Sequence, residues 1–139
     1  MANSAHAQYD ESRWPIVIVK TPPHVVDAAT FHEECKRAFG YYERGEAFAL
    51  IYDVRESPPL PAEQRRIVAE FTDRYGARYP NVRMVTAIVV ASAVQRGVVK
   101  AINWLTRQPV PVGVVGTVDE AITWCQHALA APPRKRAAP

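Results

Sequence analysis

The sequence predicts an α/β fold: a sheet of four or five mostly parallel strands covered by four helices. Three observations lead there. Apolar runs of strand length alternate along the chain with segments of helical period. The runs are dominated by valine and isoleucine, whose branched side chains suit a sheet buried on both faces. Most of the helical segments open on residues that cap a helix.

Taken in order, Ile16-Val17-Ile18-Val19 is the first clear strand, and Ala7-Gln8-Tyr9-Asp10 is expected to pair with it as an antiparallel edge across Glu11-Ser12-Arg13. The first helix should start at Asp27, carry Phe31, Cys35, Ala38 and Tyr42 on one face, and end at Gly45. A second strand runs from Ala47 to Val54. Pro61 is placed in the first turn of the next helix, where a missing amide donor costs nothing, and Glu63 complements the positive end of the helix dipole. Ile67, Val68, Phe71 and Tyr75 form its inward stripe, and Pro80 closes it. Thr86 to Val90 reads as the third strand. Ser92 and Gln95 stand at capping-box spacing ahead of a stripe of Val98, Ala101, Ile102 and Leu105. Pro109 and Pro111 bracket the entry to the strand Val110 to Val115 and suit a strand start or a sheet edge better than a fully paired central strand, because proline cannot donate to a ladder. Thr117 and Glu120 form a second capping box before Val118, Ala121, Ile122, Cys125 and Leu129.

A chain of 139 residues, 48% of them apolar, allows one domain with a core of its own. Residues 1–6 are expected to be a flexible start, 7–129 the domain, and 130–139 a disordered basic tail. The formal charge of +3 comes from Arg134, Lys135 and Arg136 in that tail; without them fourteen basic side chains face fourteen acidic ones. A balanced folded part argues against a nucleic-acid partner, which would demand a basic face. No stretch is apolar enough for membrane insertion, and the start lacks the features of a secretion signal, so a cytoplasmic protein is expected. Cys35 and Cys125 both fall in helical patterns and are expected as buried thiols without a disulfide.

Chemistry is harder to find. The glycines are scattered, and Gly113 and Gly116 do not sit in a strand-to-helix phosphate motif, so no cofactor is implied. His32 and Cys35 lie one helical turn apart, half of a metal site with no second half, and no metal is expected. No general acid–base pair or GxSxG context appears, and no catalytic residue is assigned. The informative segment is Phe48 to Arg66, where an apolar strand ends on Asp53, passes a proline-rich bend and opens a helix. In open α/β sheets ligands bind at that carboxyl edge. Asp53 could hold a cation, orient a hydroxyl or accept from Arg55, Arg65 or Arg66. Ser57, exposed by the prolines behind it, would place an added phosphate near Arg55 and Arg65. Asp53, Arg55, Ser57, Arg65 and Arg66 are therefore the candidate binding surface.

The element order, with Arg13-Trp14-Pro15-Ile16-Val17-Ile18-Val19, Ala49-Leu50-Ile51-Tyr52-Asp53, Ala101-Ile102-Asn103-Trp104-Leu105 and Glu120-Ala121-Ile122-Thr123-Trp124, resembles the STAS-like group, relatives of the sporulation anti-sigma factor antagonist. The resemblance covers about residues 7–129. It implies a regulatory or binding role and a protein partner, often a second copy in a homodimer. In the antagonists, the aspartate-ending strand is followed by an Asp-Ser-Ser/Thr-Gly segment whose hydroxyl a partner kinase phosphorylates. Here the matching place reads Leu60-Pro61-Ala62-Glu63, so that switch does not carry over. The expectation is a non-enzymatic interaction module using the Asp53–Arg66 loop and helix, with a carrier or sensor of a small apolar ligand as the alternative. Catalysis through Asp53 and Arg55 ranks last.

Overall fold

The structure, a computed structural model, describes residues 6–106 and 110–131. It contains β1 (Gln8–Arg13), β2 (Ile16–Lys20), α1 (Ala28–Phe39), β3 (Phe48–Asp53), α2 (Ala62–Arg78), β4 (Met84–Val89), α3 (Ala93–Thr106), β5 (Val112–Val115) and α4 (Val118–Ala130). The strands lie side by side in chain order, β1 antiparallel to β2 and every other pair parallel.

That order dictates where the helices go. A crossover between parallel strands is right-handed, so three crossovers stepping in one direction put α1, α2 and α3 on the same face. α4, which follows the last strand, turns back over the opposite face alone. The core divides accordingly. On one face Val17, Val19, Phe48, Leu50 and Met84 pack under Cys35, Ala38, Phe39 and Phe71; on the other Ile16, Ala49, Ile51, Val85, Ala87 and Val89 meet Ala121 and Cys125.

The caps explain where the helices begin. The Asp27 carboxylate accepts from the Thr30 amide at 2.7 Å. The Ser92 hydroxyl accepts from the Gln95 amide at 3.1 Å, and the Thr117 hydroxyl from the Glu120 amide at 3.0 Å. Both cysteines are buried and free.

Several expectations need correcting. The β1–β2 hairpin turns at Trp14-Pro15 rather than at Glu11–Arg13, which remain in the strand beside an irregularity in register. α1 stops at Phe39 and passes into a 3₁₀ helix, Gly40–Arg44; Gly45, at φ 74°, caps that tighter turn. Pro61 is the residue before the first turn of α2, so its extended backbone precedes the helix. The stripe expected on α3 is not buried: Val98 is 40% exposed, Ala101 is exposed and Ile102 only half-buried, and Val94, one turn before Val98, is 79% exposed. Pro109, the side chains of Trp104 and Leu105, and the expected tail from residue 132 lie outside the described residues, as do residues 1–5. His6 is described and lies 3.4 Å from the Glu34 carboxylate.

The α4 layer sits close to the sheet because its contact residues are small. A Cβ on Gly113 would lie 2.8 Å from the Trp124 indole nitrogen and nearer still to the ring carbons. Gly113→Ala should therefore lower the urea midpoint by the equivalent of about 1–3 kcal/mol, the usual cost of overpacking. Adding Trp124→Leu should recover part of it; a Gly113→Ala variant as stable as the parent would show that this layer is not closely packed.

Candidate functional site

The two faces of the sheet differ in how well they are filled. At the amino ends of the strands, under α1 and α2, the space is taken by rings: Phe39, Tyr42, Phe71, Tyr75 and Tyr79 stack or tilt against one another at 5.6–6.2 Å, and Tyr42 meets Phe48 edge-on at 5.1 Å. Toward the carboxyl ends the strand side chains on that face are, Tyr52 apart, aliphatic or small. One row reads Val17, Leu50, Thr86, Val112, and the next Val19, Tyr52, Ile88, Val114. α1 packs against α2, whereas α3 approaches β5. Between α3 and the other two helices a cleft of about 620 Å³ remains open.

Its floor includes Leu50, Tyr52, Thr86, Ile88 and Val112, and its walls Phe31 and Cys35 of α1, Val68 of α2, and Val98, Val99 and Ile102 of α3. The large apolar side chains that stand exposed among the described residues, Val25, Leu60, Val94 and Val98, all belong to this same cleft. They gather at its mouth instead of scattering over the surface, and a gathered apolar rim marks an interaction site.

Burial raises the pKa of Tyr52 and, helped by the Glu34 charge, pushes the Cys35 thiol up to about 12. Both stay protonated at neutral pH, so Cys35 is not a thiolate nucleophile. Glu34 accepts from the Tyr9 hydroxyl at 3.1 Å and from the Ala7 amide at 3.2 Å.

The five candidate residues divide between the faces. Asp53 shares its row with Val89 and Val115 on the α4 side and does not line the cleft. Its carboxylate is gripped by the Arg55 guanidinium, Nε to Oδ1 at 2.9 Å and Nη2 to Oδ2 at 2.8 Å, and also accepts from the Arg55 amide at 3.3 Å. Arg55, Ser57 and Arg65 do line the cleft; Arg66 lies exposed on α2. Ser57 is half-buried, not exposed as the prolines led one to expect. Its hydroxyl donates to the Pro22 carbonyl at 2.8 Å and meets the Thr21 hydroxyl, which ties the bend to the chain leaving β2. A serine so engaged is a structural tie.

Two glutamines also frame the mouth: Gln64, which the stripe of α2 left aside, and Gln95, expected only as part of the α3 capping box. Gln64, buried in the first turn of α2, donates to the Val26 carbonyl at 2.7 Å. Gln95 accepts from the Ala91 amide at 2.6 Å and donates to the Val54 carbonyl at 2.7 Å, fastening the start of α3 to the end of β3. The signal for Gln64 was its place one turn before Ile67 and Val68, on the apolar face of α2. Among the described residues no group of three His, Cys, Asp or Glu could hold a metal ion, and no helix is long and apolar enough to cross a membrane.

The sequence matches no protein-family model and no curated protein. Solved structures do resemble it. An uncharacterised DUF3478-family protein of Shewanella loihica PV-4, with a SpoIIAA-like fold, superposes with a TM-score of 0.64 at 12% identity over 90% of this chain and 98% of that one. A Thermotoga maritima protein assigned as an anti-sigma factor antagonist gives 0.58 at 13% identity over 86% and 94%. The fold is thus SpoIIAA-like, in line with the STAS-like resemblance of the sequence.

Arg55 and the backbone hold the Asp53 carboxyl below its ordinary value of 3.8, against the opposing pull of burial. Because the folded value lies below the unfolded one, this stabilisation is complete above the ordinary carboxylate range and disappears as pH falls through the folded value. Asp53→Asn should consequently be less stable than the parent at pH 7, with the gap closing below about pH 4. Urea titrations at several pH values check this; a gap independent of pH would contradict the ion-pair role.

Proposed function

We propose that the chain is a non-enzymatic regulatory binding module whose cleft takes an apolar small molecule. The observation that carries this reading is the 620 Å³ opening itself, floored by Leu50, Thr86, Ile88 and Val112 and rimmed by exposed Val25, Leu60, Val94 and Val98. Small-molecule sites have this size and character: apolar walls with a few polar groups at one end. The opening lies toward the carboxyl ends of the parallel strands, with the bend from Val54 to Leu60 beside its mouth.

Catalysis has less support. Asp53 is committed to Arg55, and Cys35 and Tyr52 are held protonated, so none is poised as base or nucleophile. A regulatory role is compatible with the antagonist assignment of the Thermotoga neighbour.

Filling the cleft is the direct test. Ile88→Trp should reduce binding of a polarity-sensitive apolar dye at least about tenfold while the melting temperature holds or rises, since the new side chain occupies space that was empty. Native mass spectrometry of the purified protein should show a retained small molecule in the parent and not in the variant. Equal dye binding by both proteins, together with a clean unliganded mass, would remove the proposal.

The apolar rim favours a second reading, in which a protein partner or a second copy of the chain covers the mouth. In that case Val94→Asp with Val98→Asp should lower the sedimentation coefficient of a self-associated form or abolish partner binding. An unchanged assembly would assign the rim to ligand passage alone.

A further inference from the structure

The charges around the cleft say what kind of apolar molecule fits. Four lining residues carry a charge or could: His24, Glu34, Arg55 and Arg65. His24 is exposed beside the mouth and faces the Val25 carbonyl at 3.4 Å. Glu34 is satisfied by Tyr9, by the Ala7 amide and by His6. Arg55 is spent on Asp53.

Arg65 is different. It stands half-buried in the first turn of α2, and its Nη1 donates to the Leu60 carbonyl at 2.8 Å, which holds the guanidinium at the rim. Among the described residues no carboxylate lies within ion-pair distance of it. Neighbours three or four positions along α2 are Pro61, Ala62, Val68 and Ala69, so the helix offers it no acidic partner either. A guanidinium has five N–H donors in a fixed fork, and this one spends a single Nη1 bond on Leu60, leaving a face free for a bidentate acceptor.

Resting on the cleft reading above, we propose that the ligand is a long-chain carboxylic acid, its chain lying over Leu50, Thr86 and Ile88 and its carboxylate forked onto Arg65. The count of charges selects the head group. One uncompensated cation matches one negative charge; a phosphate monoester dianion would bring a second charge with no cation left to meet it, because Arg55 already serves Asp53. The apolar rim contributes as well, since a charge pair beside low-dielectric walls is stronger than one in open water.

The test compares three probes of equal chain length, dodecanoate, dodecanol and dodecyl phosphate, titrated into the full chain by displacement of a bound apolar dye. Dodecanoate should bind about tenfold or more tightly than dodecanol, a preference that charge-assisted bidentate bonds readily supply. Arg65→Gln should erase the preference while leaving dodecanol affinity within about twofold; Arg65→Lys, which keeps the charge without the fork, should restore part of it. Unchanged melting temperatures would certify the folds. Equal binding of acid and alcohol by the parent, a preference that survives in Arg65→Gln, or tighter binding of dodecyl phosphate would each overturn the carboxylate assignment and leave the cleft reading standing. Failure of all three probes and of the dye would sink the cleft reading itself.

Discussion

The handedness of strand–helix–strand crossovers constrains everything else in this molecule. With β2, β3, β4 and β5 laid down in chain order, right-handed connections send three helices to one face and leave one for the other. The lone helix can cover its face only by lying close to it, and that closeness is written into Ala121, Cys125 and the bare backbone of Gly113 under Trp124. The crowded face has the opposite difficulty. Three helices must share one sheet surface, and they do not fill it evenly.

Aromatic rings settle where the filling is good. The cluster built on Phe39, Tyr42, Phe71 and Tyr75 draws α1 and α2 together over the amino ends of β3 and β4, with Phe48 and Met84 beneath. Among the described residues no such ring cluster stands farther along the strands: Phe31 and Tyr52 are there, but Thr86, Ile88 and Val112 face the valines of α3 across the cleft. A packing deficit at the carboxyl end of the sheet is the result. Interiors are otherwise dense, so an opening of this size marks the part of the sheet surface that the three helices do not close. Dense at one end and open at the other, the same layer supplies both the stability of the fold and its site.

Much of this was legible in the sequence. Strands announced themselves as β-branched runs, and Asp27, Ser92 and Thr117 marked helix starts because a side-chain oxygen one residue ahead of a helix has a specific job there. Pro109 and Pro111 pointed to a strand start or an edge, and β5 is both: it begins just after Pro111 and lies last in the sheet. What could not be read was complementarity. Val94, Val98 and Ile102 have the period of a buried stripe, and periodicity records which side of a helix is apolar without recording whether anything fills the space opposite. For the same reason Ser57 looked exposed: the prolines beside it were visible, but Thr21 and Pro22, which close on it from the end of β2, are distant in sequence. The division of Asp53 from Arg65 between opposite faces depended on register, which a short strand leaves open until its neighbours are known.

Asp53 illustrates how a polar residue at a strand end can govern a site without touching it. A carboxylate buried at the end of β3 needs a partner, and Arg55, two residues on, supplies both side-chain bonds and a backbone amide. That closed loop fixes the direction in which the chain leaves the sheet. Val54 then presents its carbonyl to Gln95 and to the Ser57 amide, so the start of α3 and the proline bend are both registered on the same residue. The cleft mouth is therefore framed by the start of α3 and the proline bend, which share one anchor, with the apolar rim and Arg65 arranged around it. On this account the aspartate sets the shape of the opening from one side of the sheet, while Arg65 and the apolar rim line the opening on the other.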